Sequence, residues 1–298
     1  MTEQTNNVEA DSTNVGFGGE GFAGRGAVVT GAASGIGRAL VAEAAARGMR
    51  VVAADIDLEG AEETIASLAG VAGADQHLAV AVDVGDAASV ASMADRSFGH
   101  LGSVDLLINN AGVFQGGVMW QRSIDDWRWT FDVNVFGIVH AVKEFVPRMI
   151  AQGTRAHIVN TASVAAFVSA PFSSPYVVSK CAAFSLTECL AHDLRSEGAD
   201  IGVSVLCPSA TDTGIARTDR VRPAERGVTE GDDASFVADS LAAMLTDSLD
   251  PAETARITLD SIVAGDFLIA TKPSYENQLD IRHDALVQRQ LPSTAPVD

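Results

Sequence analysis

The sequence predicts an α/β fold, a single doubly wound parallel sheet with helices on both faces, and three observations predict it. The chain has 298 residues of which 47% are hydrophobic, enough for one large domain with a full core. Short apolar runs alternate with longer helical patterns along nearly the whole length, which implies right-handed βαβ units and a sheet covered on both sides. A glycine-rich turn, Gly31 to Gly37, stands directly between the first such run and the first helical pattern. No internal repeat interrupts this order.

Taken in order, Gly26–Thr30 is a small apolar run suited to a buried strand. Ile36–Gly48 reads as a helix with Leu40, Val41, Ala44 and Ala45 on one face and Gly48 as its stop. Strands are expected at Arg50–Asp55, His77–Asp83, Val104–Asn109, His157–Thr161 and Gly202–Cys207. Helices are expected at Leu58–Leu68, Ala87–Phe98, Ser123–Phe136, Ile138–Gln152 and Pro175–Ser196. Further helices follow near Ala234–Leu245 and Pro251–Ala264, then a short strand Phe267–Thr271 and an amphipathic helix near Tyr275–Gln290. Residues 1–24 are polar, acidic and glycine-rich and are expected to form a flexible tail ahead of one domain, 25–298, with an elaborated helical end.

A net charge of −19, from 20 basic and 39 acidic residues, argues against nucleic acid and against anionic membranes as partners. The longest uncharged stretch, Ala156–Ser179, holds two prolines, five serines and an asparagine, and so is no membrane span. The start carries neither a basic nor an apolar targeting region. Three cysteines without CxxC spacing, Cys181, Cys189 and Cys207, suit a reducing cytoplasm. The six histidines lack ligand-like spacing, and no metal is expected.

The turn Thr30-Gly31-Ala32-Ala33-Ser34-Gly35-Ile36-Gly37 has glycines at the spacing GxxxGxG. They allow a sharp turn and a close approach of backbone to a pyrophosphate at the positive end of the following helix. Tight strand–helix packing is the alternative reading, weakened by the position of the turn after the first strand. Asp55 ends the second strand 18 residues beyond Gly37. A carboxylate there either accepts both hydroxyls of an adenosine ribose or caps the next helix; the glycine turn favours the ribose.

Tyr176 and Lys180 lie four apart at the start of an expected helix and so share one face. A phenol titrates near 10, and an ammonium beside it, with an oxidised nicotinamide ring, supplies a field that lowers that value. Ser163, 13 residues before the tyrosine and just past a strand end, is placed to hold a substrate oxygen. The chain has only two tyrosines and three lysines, which makes the coincidence less cheap.

With these residues in place the chain resembles the short-chain dehydrogenase/reductases from about residue 24 to 272. The resemblance rests on Thr30–Gly37, on Asp83-Val84, on Asn109-Asn110-Ala111-Gly112, on Asn134, on Ser163 and on Tyr176-Val-Val-Ser-Lys180. It implies a Rossmann-like fold and a catalytic set of Asn134, Ser163, Tyr176 and Lys180. In that set the tyrosine is the general acid/base, and the serine orients the alcohol or carbonyl. The lysine lowers the tyrosine pKa and holds a ribose, while the asparagine holds a proton-relaying water. The cofactor would lie on Gly31, Ser34, Gly35, Ile36, Gly37 and Asp55, with Asp83 on the adenine amino group, Val84 on its ring and Asn110 alongside. Thr213 takes the place that holds the nicotinamide carboxamide. One departure is Ser209, which stands where the family usually has glycine after the proline Pro208.

The function this implies is hydride transfer between NAD and a secondary alcohol or ketone. Asp55 would face the extra phosphate of NADP, with only Arg38 as a compensating charge, so NAD is the expected cofactor. A non-catalytic dinucleotide-binding sensor or partner subunit is the alternative of a different class; all four catalytic positions are present and argue for the enzyme. An epimerase or dehydratase would normally need a larger separate substrate domain than the roughly 90 residues after the sixth strand allow. The segment Val164–Pro175 and the pair Val113-Phe114 carry no basic residue, which suggests an apolar or cyclic substrate, or simply packing. Residues Thr213–Gly231, rich in arginine and threonine, form either a mobile lid or a static loop. The broad apolar faces of Ile138–Gln152 and Pro175–Ser196 suggest a homodimer or homotetramer.

Overall fold

Seven strands pair in the order β3-β2-β1-β4-β5-β6-β7, all parallel, in a computed structural model that describes residues 17, 21–70, 76–223, 231–246 and 248–294. They are β1 (Gly26–Thr30), β2 (Arg50–Asp55), β3 (Leu78–Ala81), β4 (Leu106–Asn109), β5 (Ala156–Thr161), β6 (Ile201–Cys207) and β7 (Leu268–Ala270). Val28 of β1 stands opposite Val52 on one side and Leu107 on the other, which fixes the central register. Every residue of β1, β4, β5 and β6 is buried, as expected of strands covered on both faces.

The period of two along each strand divides the core into two layers. Ala27, Val29, Val51, Ala53, Leu106 and Ile108 face helices α1 (Gly35–Ala46) and α8 (Pro251–Ala264), which contribute Leu40, Val41, Leu259 and Ile262. Val28, Val52, Ala54, Leu107 and Ile158 face α3 (Ala87–Leu101), α5 (Gly137–Gln152) and α6 (Ser174–Ser196) through Met93, Phe145, Met149 and Leu190. The remaining helices are α2 (Leu58–Ala66), α4 (Ile124–Phe131), α7 (Asp232–Leu245) and α9 (Tyr275–Val287). The chain reverses its direction of winding between β1 and β4, and a crevice opens there beyond the carboxyl ends of the strands.

Three expectations are corrected. The two helices foreseen at Ser123–Phe136 and Ile138–Gln152 form one continuous run, because a π-helical turn, Asp132–Phe136, joins α4 to α5 without a break at Gly137. The final helix ends at Val287 and is not amphipathic: its one buried residue is Gln278, while Leu286 and Val287 are exposed. Within the 1–24 tail, Phe17 and Phe22 are core residues, packed edge to face at 5.3 Å, with the Arg25 guanidinium 4.6 Å over the Phe17 ring. Residues 1–16 and 18–20 of that tail lie outside the described residues.

Candidate active site

The glycine turn leaves β1 with Gly31 at φ +68° and Gly35 at φ +53°, conformations that side chains rarely adopt. A β-carbon on Gly37 would collide with the Gly31 carbonyl, and one on Gly31 would come within 2.8 Å of the Ala111 backbone. The turn is therefore a cradle with no room for side chains at its glycines, open to a phosphate at the start of α1. Thr30 braces it: its hydroxyl accepts from the amides of Asn110 (3.0 Å) and Ala111 (3.1 Å), and Asn110 Nδ2 returns a bond to the Thr30 carbonyl. Ser34, Ile36 and Asn110 line the same cavity of about 600 Å³.

Asp55 lies at the end of β2 on the wall of that cavity. Its carboxylate accepts from the amides of Ala33 (2.8 Å) and Asp57 (2.9 Å), so its orientation is fixed by two backbone groups. The helix that follows is capped by Asp57, whose Oδ1 accepts from the Gly60 amide, and the capping role weighed for Asp55 falls to its neighbour. Arg38 is turned aside, donating to the Ala33 carbonyl (2.7 Å) and to Thr64 Oγ1 (3.1 Å), with Glu63 at 3.5 Å. Asp83 and Val84 follow β3 and line the cavity; Asp83 accepts from the Gly85 amide, and Val84 packs where Gly137 has no side chain.

Three of the four residues foreseen as catalytic, Ser163, Tyr176 and Lys180, line one end of the cavity, and Asn134 lies buried behind them, outside its lining. Ser163 follows β5, its hydroxyl accepting from the Ala165 amide and acting on the Tyr176 phenol so as to lower its pKa. Lys180 Nζ donates to the Thr161 carbonyl at 2.9 Å and lies 5.7 Å from the centre of the Tyr176 ring. Asn134, buried in the π-helical turn, accepts from the Val113 amide (2.8 Å) and donates to the Val113 carbonyl and to Ser179 Oγ, both at 2.9 Å. Gly112 separates the last two: a β-carbon there would lie 3.3 Å from Lys180 Nζ and 3.4 Å from Asn134 Oδ1. Gly112 and Ser179 stand within the motifs quoted above but without a role of their own there, and the Thr161 carbonyl is a site component that the sequence does not signal.

Burial sets the charge states. It pushes the Tyr176 phenol above its ordinary value, against the lowering effect of the Ser163 hydroxyl. It pulls Lys180 down to about 8, and it pushes the Cys207 thiol behind them up to about 12. The expected lowering of the tyrosine by the lysine is not felt here; desolvation dominates.

Ser209 keeps an ordinary backbone, outside the left-handed region, with its amide donating to Thr271 Oγ1 at 2.9 Å. The usual glycine is thus replaced without strain. Thr213 packs over the turn, its methyl 3.0 Å from the position of a β-carbon on Gly35. Beyond Tyr176 the cavity is walled by Phe114, Trp129, Val164, Ile215, Val221, Pro223, with Leu241 and Met244 from α7. Phe114 packs against the Tyr176 ring, with centroids 5.1 Å apart and the planes tilted by 55°. Part of the segment foreseen as a lid, residues 224–230, lies outside the described residues. Among the described residues no cluster of His, Cys, Asp or Glu could hold a metal, and no helix is long and apolar enough to cross a membrane.

Comparison with known proteins places this geometry among relatives. A 1-deoxy-11-beta-hydroxypentalenate dehydrogenase of Streptomyces avermitilis is 44% identical over 193 residues, 64% of this chain and 70% of its own. A C alpha-dehydrogenase of Sphingobium sp. is 30% identical over 91% of this chain and 87% of its own. A short chain dehydrogenase/reductase from Burkholderia phymatum, solved in complex with NAD, superposes with a TM-score of 0.89 at 38% identity, over 93% of this chain and 99% of the other. The family model for short chain dehydrogenase matches residues 25–223. On these grounds the chain belongs to the short chain dehydrogenase family of oxidoreductases.

Proposed function

We propose that this protein moves a hydride between NAD and an apolar or cyclic secondary alcohol or its ketone, with Tyr176 as general acid/base. The observation that carries the proposal is the meeting, in one cavity, of Tyr176, Ser163 and Lys180 with a turn whose glycines leave no room for side chains. When bound, the nicotinamide would supply the hydride acceptor and, in its oxidised form, a positive charge that favours the phenolate.

The remaining chemistry belongs to the chain. Ser163 holds the substrate oxygen within reach of the phenol, and Tyr176 takes the hydroxyl proton in oxidation or returns it in reduction. Lys180, anchored on Thr161, holds a ribose and offers the ammonium that favours phenolate. Asn134 holds the Val113 backbone and Ser179 in place and supports a water next to Lys180. Gly31, Ser34, Gly35, Ile36 and Gly37 would cradle the pyrophosphate, Asp83 and Val84 would take the adenine, Asn110 would lie against the cofactor through its backbone, and Thr213 would hold the nicotinamide carboxamide.

NAD over NADP is supported by Asp55, whose carboxylate is fixed by two amides, and by Arg38, which is held away by the Ala33 carbonyl and Thr64. The Burkholderia relative carries NAD. The apolar substrate is supported by a substrate end in which Lys180 is the one basic side chain among the described residues. Exposed Phe136, Val139 and Ile150, with Val178 on α6, support pairing of copies as a dimer or tetramer, and the cysteine pattern supports a cytoplasmic setting.

Reduction of NAD and of NADP, followed by absorbance with a panel of apolar, cyclic and acidic alcohols, tests this reading. Turnover confined to NAD and apolar alcohols is the expected result; a preference for hydroxy acids or for NADP contradicts it.

A further inference from the structure

Two arginine–aspartate pairs are exchanged between the shoulder after β4 and the excursion between β6 and α7. Arg222, from the excursion, reaches Asp126 of α4 at 2.7 Å, with both side chains almost completely buried. Its Nη1 also donates to Gln115 Oε1, and its guanidinium lies 5.0 Å from the centre of the Trp129 ring. In the opposite sense, Arg122 from the shoulder donates to both oxygens of Asp233 at the start of α7, at 2.9 and 3.0 Å. Asp233 also accepts from the Val118 amide at 2.7 Å. A side chain on Gly117, at φ +116°, would run into the Arg122 guanidinium.

The acceptor in the first pair is rigid for a reason legible in α4. Asp126 is the third residue of a capping box: its Oδ2 accepts from the Ser123 amide at 2.8 Å, while Ser123 Oγ accepts from the Asp126 amide at 3.1 Å. The carboxylate therefore presents its other oxygen in one direction. Arg222 stands between Val221 and Pro223, both of which line the cavity, and the proline restricts the arginine backbone to extended conformations. Burying the guanidinium under Trp129 thus turns its two neighbours over the substrate end.

A buried ion pair adds little net stability over an apolar pair of the same shape, because desolvation offsets the attraction. Geometry is the better account of such a pair. We propose that Arg222 and Asp126 are positioning residues that fix Val221 and Pro223 as the roof of the substrate end, and so set the bulk of apolar substrate admitted. This rests on the apolar-substrate reading above, and its test has one arm that does not.

The variant Arg222→Met/Asp126→Leu removes the pair without leaving a lone buried charge, and Arg222→Lys keeps the charge but loses the fork. With NAD saturating and alcohols of rising apolar bulk, the double variant should raise KM for the best wild-type substrate about tenfold, leave kcat largely intact, and shift preference to bulkier alcohols. Arg222→Lys should recover part of the KM, and NADH affinity, read by fluorescence titration, should stay at the wild-type value. In the arm free of turnover, amide hydrogen exchange in Gly214–Val221 should quicken at least about tenfold in the double variant while the β5 and β6 amides keep their protection. Unchanged exchange in that segment, an equal loss of kcat/KM for all alcohols, or a parallel loss of NADH affinity would overturn the proposal. If no alcohol is oxidised by the wild type, the functional reading fails while the exchange arm still decides this one.

Discussion

The ammonium of Lys180 is tied to the carbonyl of Thr161 by a 2.9 Å hydrogen bond at the end of β5, which places a buried cation beside the phenol of Tyr176. Burial pulls that ammonium down to about 8 from the 10.5 of an unperturbed lysine. Below pH 8 the folded and unfolded states both carry the proton, and the cost of the buried charge is felt in full. Between pH 8 and 10.5 the folded state releases its proton first, so stability rises with pH across that window.

Lys180→Met should therefore stabilise the fold at pH 7 by a few kcal/mol, about 3 at most, while removing turnover. The gain should shrink as pH rises from 8. Thermal unfolding of both proteins at pH 7 and pH 9.5 checks this, and a variant less stable than wild type at pH 7 contradicts it. Tyr176 acts with the opposite sign: its raised value makes the folded state hold a proton that the unfolded chain loses above pH 10, so stability falls there.

Ser179 carries the second prediction. It donates to the Tyr176 carbonyl at 2.7 Å and accepts from Asn134 Nδ2 at 2.9 Å. Ser179→Ala should cost about 1 kcal/mol of stability, as for a buried hydrogen bond, and lower kcat about tenfold through a displaced Asn134. NADH affinity should be unaffected. Loss of stability with an unchanged kcat at low temperature would reduce Ser179 to a packing residue.

In the proposed function, cofactor choice rests on Asp55. A dianionic phosphate close to its carboxylate costs on the order of 1–3 kcal/mol when partly desolvated, or about ten- to hundredfold in affinity. Asp55→Ala should shrink the NAD preference by about that factor, chiefly by admitting NADP, and should loosen the glycine turn by freeing the Ala33 amide. Titration of NADH and NADPH into both proteins reads the ratio. Equal affinities for the two in wild type would remove Asp55 from this role.

What the sequence made legible follows from locality. The period-two strands and the order β-turn-α around Gly31–Gly37 depend on near neighbours, and Tyr176 and Lys180 share a helical face whatever surrounds them. The π-helical turn at Asp132–Phe136 escaped because no residue signals it: the extra residue per turn serves to aim Asn134 at Val113, 21 residues away in sequence. The pairing of Arg222 with Asp126 escaped for the same reason, since only the folded chain brings them together. Phe17 was hidden by its polar, glycine-rich surroundings, and α9 by apolar residues that the fold leaves outside the core.

The most direct measurement is the rate of NAD reduction by a preferred secondary alcohol in Tyr176→Phe against wild type, with NADH affinity titrated in parallel. The substitution keeps the ring that packs against Phe114 and removes only the hydroxyl with its transferable proton. Turnover should fall by at least about a thousandfold, with NADH affinity preserved. Turnover near the wild-type rate would show that another group moves the proton and would contradict the mechanism.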